Sequence, residues 1–150
     1  AKQNILNKID IQQKKAIRHV SNLKYNSHTA ESFKQHRYLK LYDLISFNQA
    51  IFIHNYKHNK LPFSFNNMLS DVPANSRRSR DDDYNFYLPE SNYSSLIHYP
   101  TPKLVYNWNC LPITLKSISE PSKFRTELKE LFLSKYETLC TKPNCFSCQG

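Results

Sequence analysis

The only glycine in this chain of 150 residues is the last residue, Gly150. Glycine alone takes left-handed backbone, or lets another group approach the main chain closely, at no steric cost. Tight glycine turns and phosphate-cradling glycine loops are therefore excluded. The chain has neither a Walker A loop nor a dinucleotide-binding fingerprint, and the nucleotide chemistry that depends on them goes too. Its length suits one domain with a real core, or a domain with tails. It begins with Ala1, not Met, which suggests a piece of something longer.

The second constraint is the lone tryptophan, in Tyr106-Asn107-Trp108-Asn109-Cys110-Leu111-Pro112. A packed Trp removes about 150–250 Å² from water, so a single one marks the centre of a small core. Leu104, Val105, Trp108 and Leu111 recur at helical spacing, and Pro112 ends the turn because it has no N–H and restricts Leu111. This reads as a short helix against which other apolar faces pack, with Trp108 a structural anchor.

Periodicity predicts a mainly α, small helical domain with a long irregular loop and a Cys-rich tail. Ile5, Leu6, Ile9, Ala16, Ile17, Val20 and Leu23 share one side of a helix over residues 4–23. Thr29 caps a second short helix through Phe33 and His36. A third runs from Leu41 to Asn59, with Leu41, Leu44, Ile45, Phe52 and Tyr56 opposite Asn48, Asn55 and Lys57, and Ser64 caps a turn beyond it. Ser, Asn, Asp and Pro dominate residues 71–100, where 85–88 and 96–99 are at most short strands forming a hairpin. Ser119 caps the last helix, whose stripe is Phe124, Leu128, Leu131, Phe132 and Tyr136. The expected organisation is a basic helical segment (1–70), the loop (71–100), the Trp turn and last helix (101–137) and the tail (138–150), in one domain.

Charge is unevenly spread. Residues 1–40 hold nine Lys or Arg against Asp10 and Glu31, so they supply +7 of the formal +9. An amphipathic basic helix can bury its apolar stripe while holding cations toward phosphates, and nucleic acid is the commonest polyanionic partner. A merely solvated basic face would read the same way. With no run of eighteen apolar residues and no signal-peptide core, the chain reads as soluble and intracellular, without a membrane partner.

Few residues point to chemistry. Asp81, Asp82 and Asp83 beside Arg77, Arg78 and Arg80 read as a self-neutralising charge run, not as a metal cluster. Among the six histidines only His54 and His58 form an i, i+4 pair, and with no acid on their face they read as surface residues. Cys140-x4-Cys145-x2-Cys148 is the most specific signal: Cys145 and Cys148 can hold one zinc, with Cys140 as a third ligand. Structural zinc takes four ligands, so Cys110, a histidine or a group beyond Gly150 would complete the site. Free thiols on a tail are the alternative.

Taken in order, several landmarks resemble the C-terminal region of non-LTR (LINE-type, Jockey-like) retrotransposon reverse transcriptases. Gln12-Gln13-Lys14-Lys15-Ala16-Ile17-Arg18 is similar to that family's Q-x-K-A-x-R helix, and Tyr25-Asn26-Ser27-His28-Thr29 to its Y-x-x-H-T turn. Leu39-Lys40-Leu41-Tyr42-Asp43-Leu44 follows, then Asn59-Lys60-Leu61-Pro62, similar to N-x-L-P. Asn75-Ser76-Arg77-Arg78 resembles a degraded N-x-R-x segment, and Trp108-Asn109-Cys110-Leu111-Pro112 matches W-N-x-L-P. Phe124-Arg125 through Leu128-Lys129 resembles the final F-K-x-x-L-K helix, and Asn144-Cys145-Phe146-Ser147-Cys148 a terminus of that kind. The family's Gly before W-N-x-L-P is absent; Thr101-Pro102-Lys103 stands there.

The resemblance implies a part of an RNA-directed DNA polymerase lying after palm and thumb. It would grip template RNA or target DNA, in the nucleus or between nucleus and cytoplasm. The palm's motifs are missing, so catalytic magnesium would belong to the upstream polymerase domain, a second expected partner. The expected phosphate contacts are Lys14, Lys15, Arg18 and Lys24, then Arg77 and Arg78. A helical scaffold packing on the polymerase body, or a domesticated zinc-dependent binding protein, are the alternatives.

Overall fold

The computed structural model describes residues 2–72, 83–88 and 100–136. These residues are mainly helical, as the periodicity predicts. In order they form α1 (Lys2–Val20), α2 (Ala30–Gln35), α3 (Leu41–Lys57), a 3-10 turn (Phe63–Phe65), α4 (Pro100–Asn109), α5 (Ile113–Lys116) and α6 (Pro121–Ser134). Among the described residues there is no strand, only one antiparallel bridge of Asp71 with Phe86; one half of the expected hairpin, 96–99, lies outside them. Arg77, Arg78 and the tail cysteines Cys140, Cys145 and Cys148 also lie outside them.

Three helices stop by the same device, in a chain whose glycine is elsewhere. Asn22, Arg37 and Asn59 take positive φ just past α1, α2 and α3. Each helix closes with paired bonds: Leu23 N–H to Arg18 C=O and Asn22 to His19, Tyr38 to Phe33 and Arg37 to Lys34, Lys60 to Asn55 and Asn59 to Tyr56. This is the Schellman closure, which normally uses glycine. Asn tolerates the left-handed region best among the rest, and Arg37 carries the largest steric cost.

The chain divides into two compact units, Ala1–Ile45 with Lys129–Gly150, and Ser46–Leu128. In the first, α1 packs on α2, and Ile17, Phe33, Leu39, Phe132, Leu133 and Tyr136 are buried. The crossing at residues 39–41 has its backbone satisfied by side chains. The Gln13 amide donates to Leu39 C=O and accepts from Leu41 N–H, both at 2.9 Å. The Tyr136 hydroxyl accepts from Lys40 N–H at 2.8 Å and donates to the Asp43 carboxylate at 2.7 Å. Burial and that carboxylate push the Tyr136 phenol well above its usual range.

The second unit centres on Trp108, as its isolation in the sequence predicts. Its buried apolar residues include Ala50 and Ile53 of α3, Val105 and Trp108 of α4, Leu115 of α5, and Phe124 and Leu128 of α6. Trp108 and Phe124 meet with centroids 6.0 Å apart. Pro112 ends the Trp turn and also flanks the start of α5, its fixed φ of −59° suiting that place.

Four local expectations are corrected. On α1 only Ile17 of the apolar stripe is buried, while Ile5 (59% exposed), Ile9 (46%) and Val20 (64%) face outward. On α3 the buried ridge is Ala50, Ile53 and His54, and Leu44 is exposed. Apolar residues lie nearly all round that helix, so periodicity alone does not select a face. Pro62, not Ser64, flanks the 3-10 turn. The α6 helix starts at Pro121, and its first bond runs from Phe124 N–H to Glu120 C=O, one residue beyond the expected Ser119 cap.

Candidate nucleic-acid interface

The four expected cations of α1 and the turn after it are in different states. Lys14 sits 2.6 Å from Asp10, one turn back, and its charge is largely answered there. Arg18 spends its Nε on Ser27 C=O at 2.9 Å, tying α1 to the turn before α2. Lys15 is exposed on the helix, and Lys24 is exposed beyond its end. Sequence spacing puts Lys8, Lys15 and His19 along one edge, and all three are exposed. Of the expected contacts, Lys15 and Lys24 are thus the most available, whereas Lys14 and Arg18 also hold structure. Arg37 is engaged by Glu130, and Lys40 lies 4.4 Å over the Tyr136 ring.

Two lysines of the second unit are engaged within it. Lys116 is 3% exposed, and its ammonium donates to Asn85 Oδ1 and Asn109 C=O, both at 2.8 Å. Lys57 reaches Asp83 C=O at 2.7 Å and lies 4.6 Å over the Tyr84 ring; burial lowers its pKa. These lysines hold residues 83–86. The same segment is clamped by the Trp108-Asn109 pair. Trp108 Nε1 donates to Tyr84 C=O at 2.8 Å, and the Asn109 amide accepts from Phe86 N–H at 3.1 Å and donates to Phe86 C=O at 2.9 Å. Both residues act as structural anchors. Gln13 does the same for residues 39–41, so two of the motifs singled out in the sequence owe an amide to main-chain satisfaction.

His54 is not a surface residue, and His58 beside it is half-buried. His54 is 1% exposed, stacks on Phe124 at 4.2 Å and pairs with Ile118 C=O through Nε2 at 2.7 Å. That carbonyl requires Nε2–H. The His58 ring lies 4.4 Å away, and its Nε2 is buried without a partner. Burial is the chief cause lowering both pKa values from 6.5, with the neighbouring imidazole, Lys60 and Arg125 adding to it at His54. The folded unit therefore binds fewer protons here than the unfolded chain. Stability should be full above about pH 6.5 and fall as pH drops toward the lowered values. Thermal melts followed by circular dichroism between about pH 7.5 and 5 should lose Tm on acidification. His54→Phe should flatten that loss, and an equally steep one in the variant would remove His54 as its cause.

Cys110 is exposed and makes no disulfide. Among the described residues no three His, Cys, Asp or Glu side chains converge as metal ligands, and no helix is long and apolar enough to cross a membrane. The chain matches no protein-family model, no curated protein and no solved structure.

Proposed function

We propose that this chain is the post-thumb part of a retrotransposon RNA-directed DNA polymerase, holding template RNA or target DNA while an upstream palm domain, with its magnesium, does the synthesis. The order of the resembling motifs motivates this reading. The structural observation that supports it best is the exposed basic edge of Lys8, Lys15 and His19 with Lys24 beyond it. Phosphates would be met first by Lys15 and Lys24, then by Lys14 and Arg18, with Arg77 and Arg78 as further contacts. Such a chain would work in the nucleus or between nucleus and cytoplasm. Cys140, Cys145 and Cys148 would hold a structural zinc.

Replacing Lys15 and Lys24 together with Ala should weaken binding to a labelled oligonucleotide. It should also flatten the plot of log affinity against log salt by about 0.7–0.9 per lost phosphate contact. Adding Lys14→Ala and Arg18→Ala should flatten it further, at some cost in stability from the freed Asp10 and Ser27. An unchanged slope would take these residues out of the interface.

A second reading, a helical scaffold packing on the polymerase body, is favoured by the outward Ile5, Ile9 and Val20 of α1. It predicts no salt-dependent binding at all, so the same titration separates the two.

A further inference from the structure

Three of the motifs singled out in the sequence meet at one cleft of the first unit. It has a volume of about 450 Å³, within the range of small-ligand sites, and its walls include Asp10, Lys14, His28, Lys40, Tyr42 and Asp43. Lys14 comes from the first motif, His28 from the second, and Lys40, Tyr42 and Asp43 from the third. Two ammonium groups and two carboxylates share the cleft, so it is not built for a bare anion. Its chemistry suits a ligand that is anionic at one end and a hydrogen-bond donor at the other.

We propose that this cleft receives one nucleotide of a single strand, its base against Tyr42 and the carboxylates and its phosphate toward Lys14 and Lys40. The proposal rests on the nucleic-acid reading above and deepens it by naming single strands over duplex. Tyr42 is held by donating its hydroxyl to Asn7 Oδ1 at 2.8 Å while its side chain stays exposed, which makes its ring a fixed stacking platform. Asp43 gives one acceptor position to Tyr136, and a carboxylate has about four. The carboxylates favour bases with an exocyclic amine, such as cytosine, over uracil or thymine. A base inside a duplex presents its face to its neighbours and could not enter. Arg18, tied to Ser27 next to His28, and the exposed Lys15 would meet the phosphates on either side.

The test uses the full chain and three labelled probes of equal length, an oligocytidine, an oligouridine and a mixed-sequence duplex, read by fluorescence anisotropy over a range of salt. The oligocytidine should bind tightest and the duplex weakest. Tyr42→Ala should lose about tenfold in single-strand affinity, the worth of one stacked base, with the salt slope nearly intact. Tyr42→Phe should keep most of it, and Asp43→Asn, which still accepts from Tyr136, should erase the cytidine preference. Circular dichroism of each variant checks that the fold survives. Equal binding of all three probes, or a preference untouched by Asp43→Asn and Tyr42→Ala, would overturn the cleft while leaving a phosphate-gripping protein. Failure to bind any of the probes at low salt would overturn both.

Discussion

Trp108→Ala should destabilise the second unit by about 3–5 kcal/mol, the usual cost of deleting a large buried aromatic. Trp108 is among the largest fully buried side chains and packs against Phe124, which in turn stacks on His54. The substitution removes that contact and also strands Tyr84 C=O. Trp108→Phe keeps a ring but loses the indole N–H and some buried volume, so it should cost less than Trp108→Ala, with about 1–3 kcal/mol of the loss from the unmet buried carbonyl. Asn109→Ala should cost a similar amount through Phe86, and less than additively with Trp108→Ala, because both clamp residues 84–86. Urea titration followed by far-ultraviolet circular dichroism measures all three. A Trp108→Ala loss below about 1 kcal/mol would mean that Trp108 does not anchor this unit.

Phe33→Ala should cost the first unit about 3–5 kcal/mol for the same reason. Phe33 is 1% exposed in α2, a helix of six residues that cannot persist on its own. Its carbonyl accepts the Tyr38 N–H that closes the helix past Arg37. Losing the ring should therefore unravel the α2 closure as well as leave a cavity. The measurable consequence is a lowered denaturation midpoint together with faster amide exchange at Tyr38. Phe33→Leu, which refills most of the volume, should recover most of both. Retained midpoint and exchange in the alanine variant would show that α2 is held by its neighbours instead.

Much of the fold was legible because it follows from local rules. The helices at α1, α3, α4 and α6 declare themselves through periodicity, and Pro112 and Pro121 mark boundaries through their missing N–H. Trp108 marks a core because a lone large aromatic has few other uses. The candidate interface was only partly legible. Charge density along residues 1–40 is a sequence property, but whether a given lysine is available is not. Lys14 and Arg18 read like Lys15, yet Asp10 and Ser27 engage them.

The histidine pair shows the same limit from the other side. His54 and His58 look like polar decoration on a helix, but Phe124 and Ile118 arrive from far along the chain to bury one and to satisfy its Nε2. A signal was available in hindsight: the run Ile51-Phe52-Ile53-His54 sets His54 beside the most apolar part of α3. Lys116 and Asn109 could not be read as a clamp, because the segment they hold, residues 85 and 86, lies more than twenty residues away.

The sequence by itself determined where helices form, where they must stop, that the N-terminal part is basic, and that glycine-dependent phosphate loops are absent. These are consequences of local sterics, hydrogen-bonding capacity and composition. The tertiary structure decided which face of α1 and α3 is buried, which cations are engaged, and that Lys14, His28, Lys40, Tyr42 and Asp43 share one cleft. Burial and pairing depend on which distant groups arrive at a surface, and that is set by packing and not by spacing along the chain.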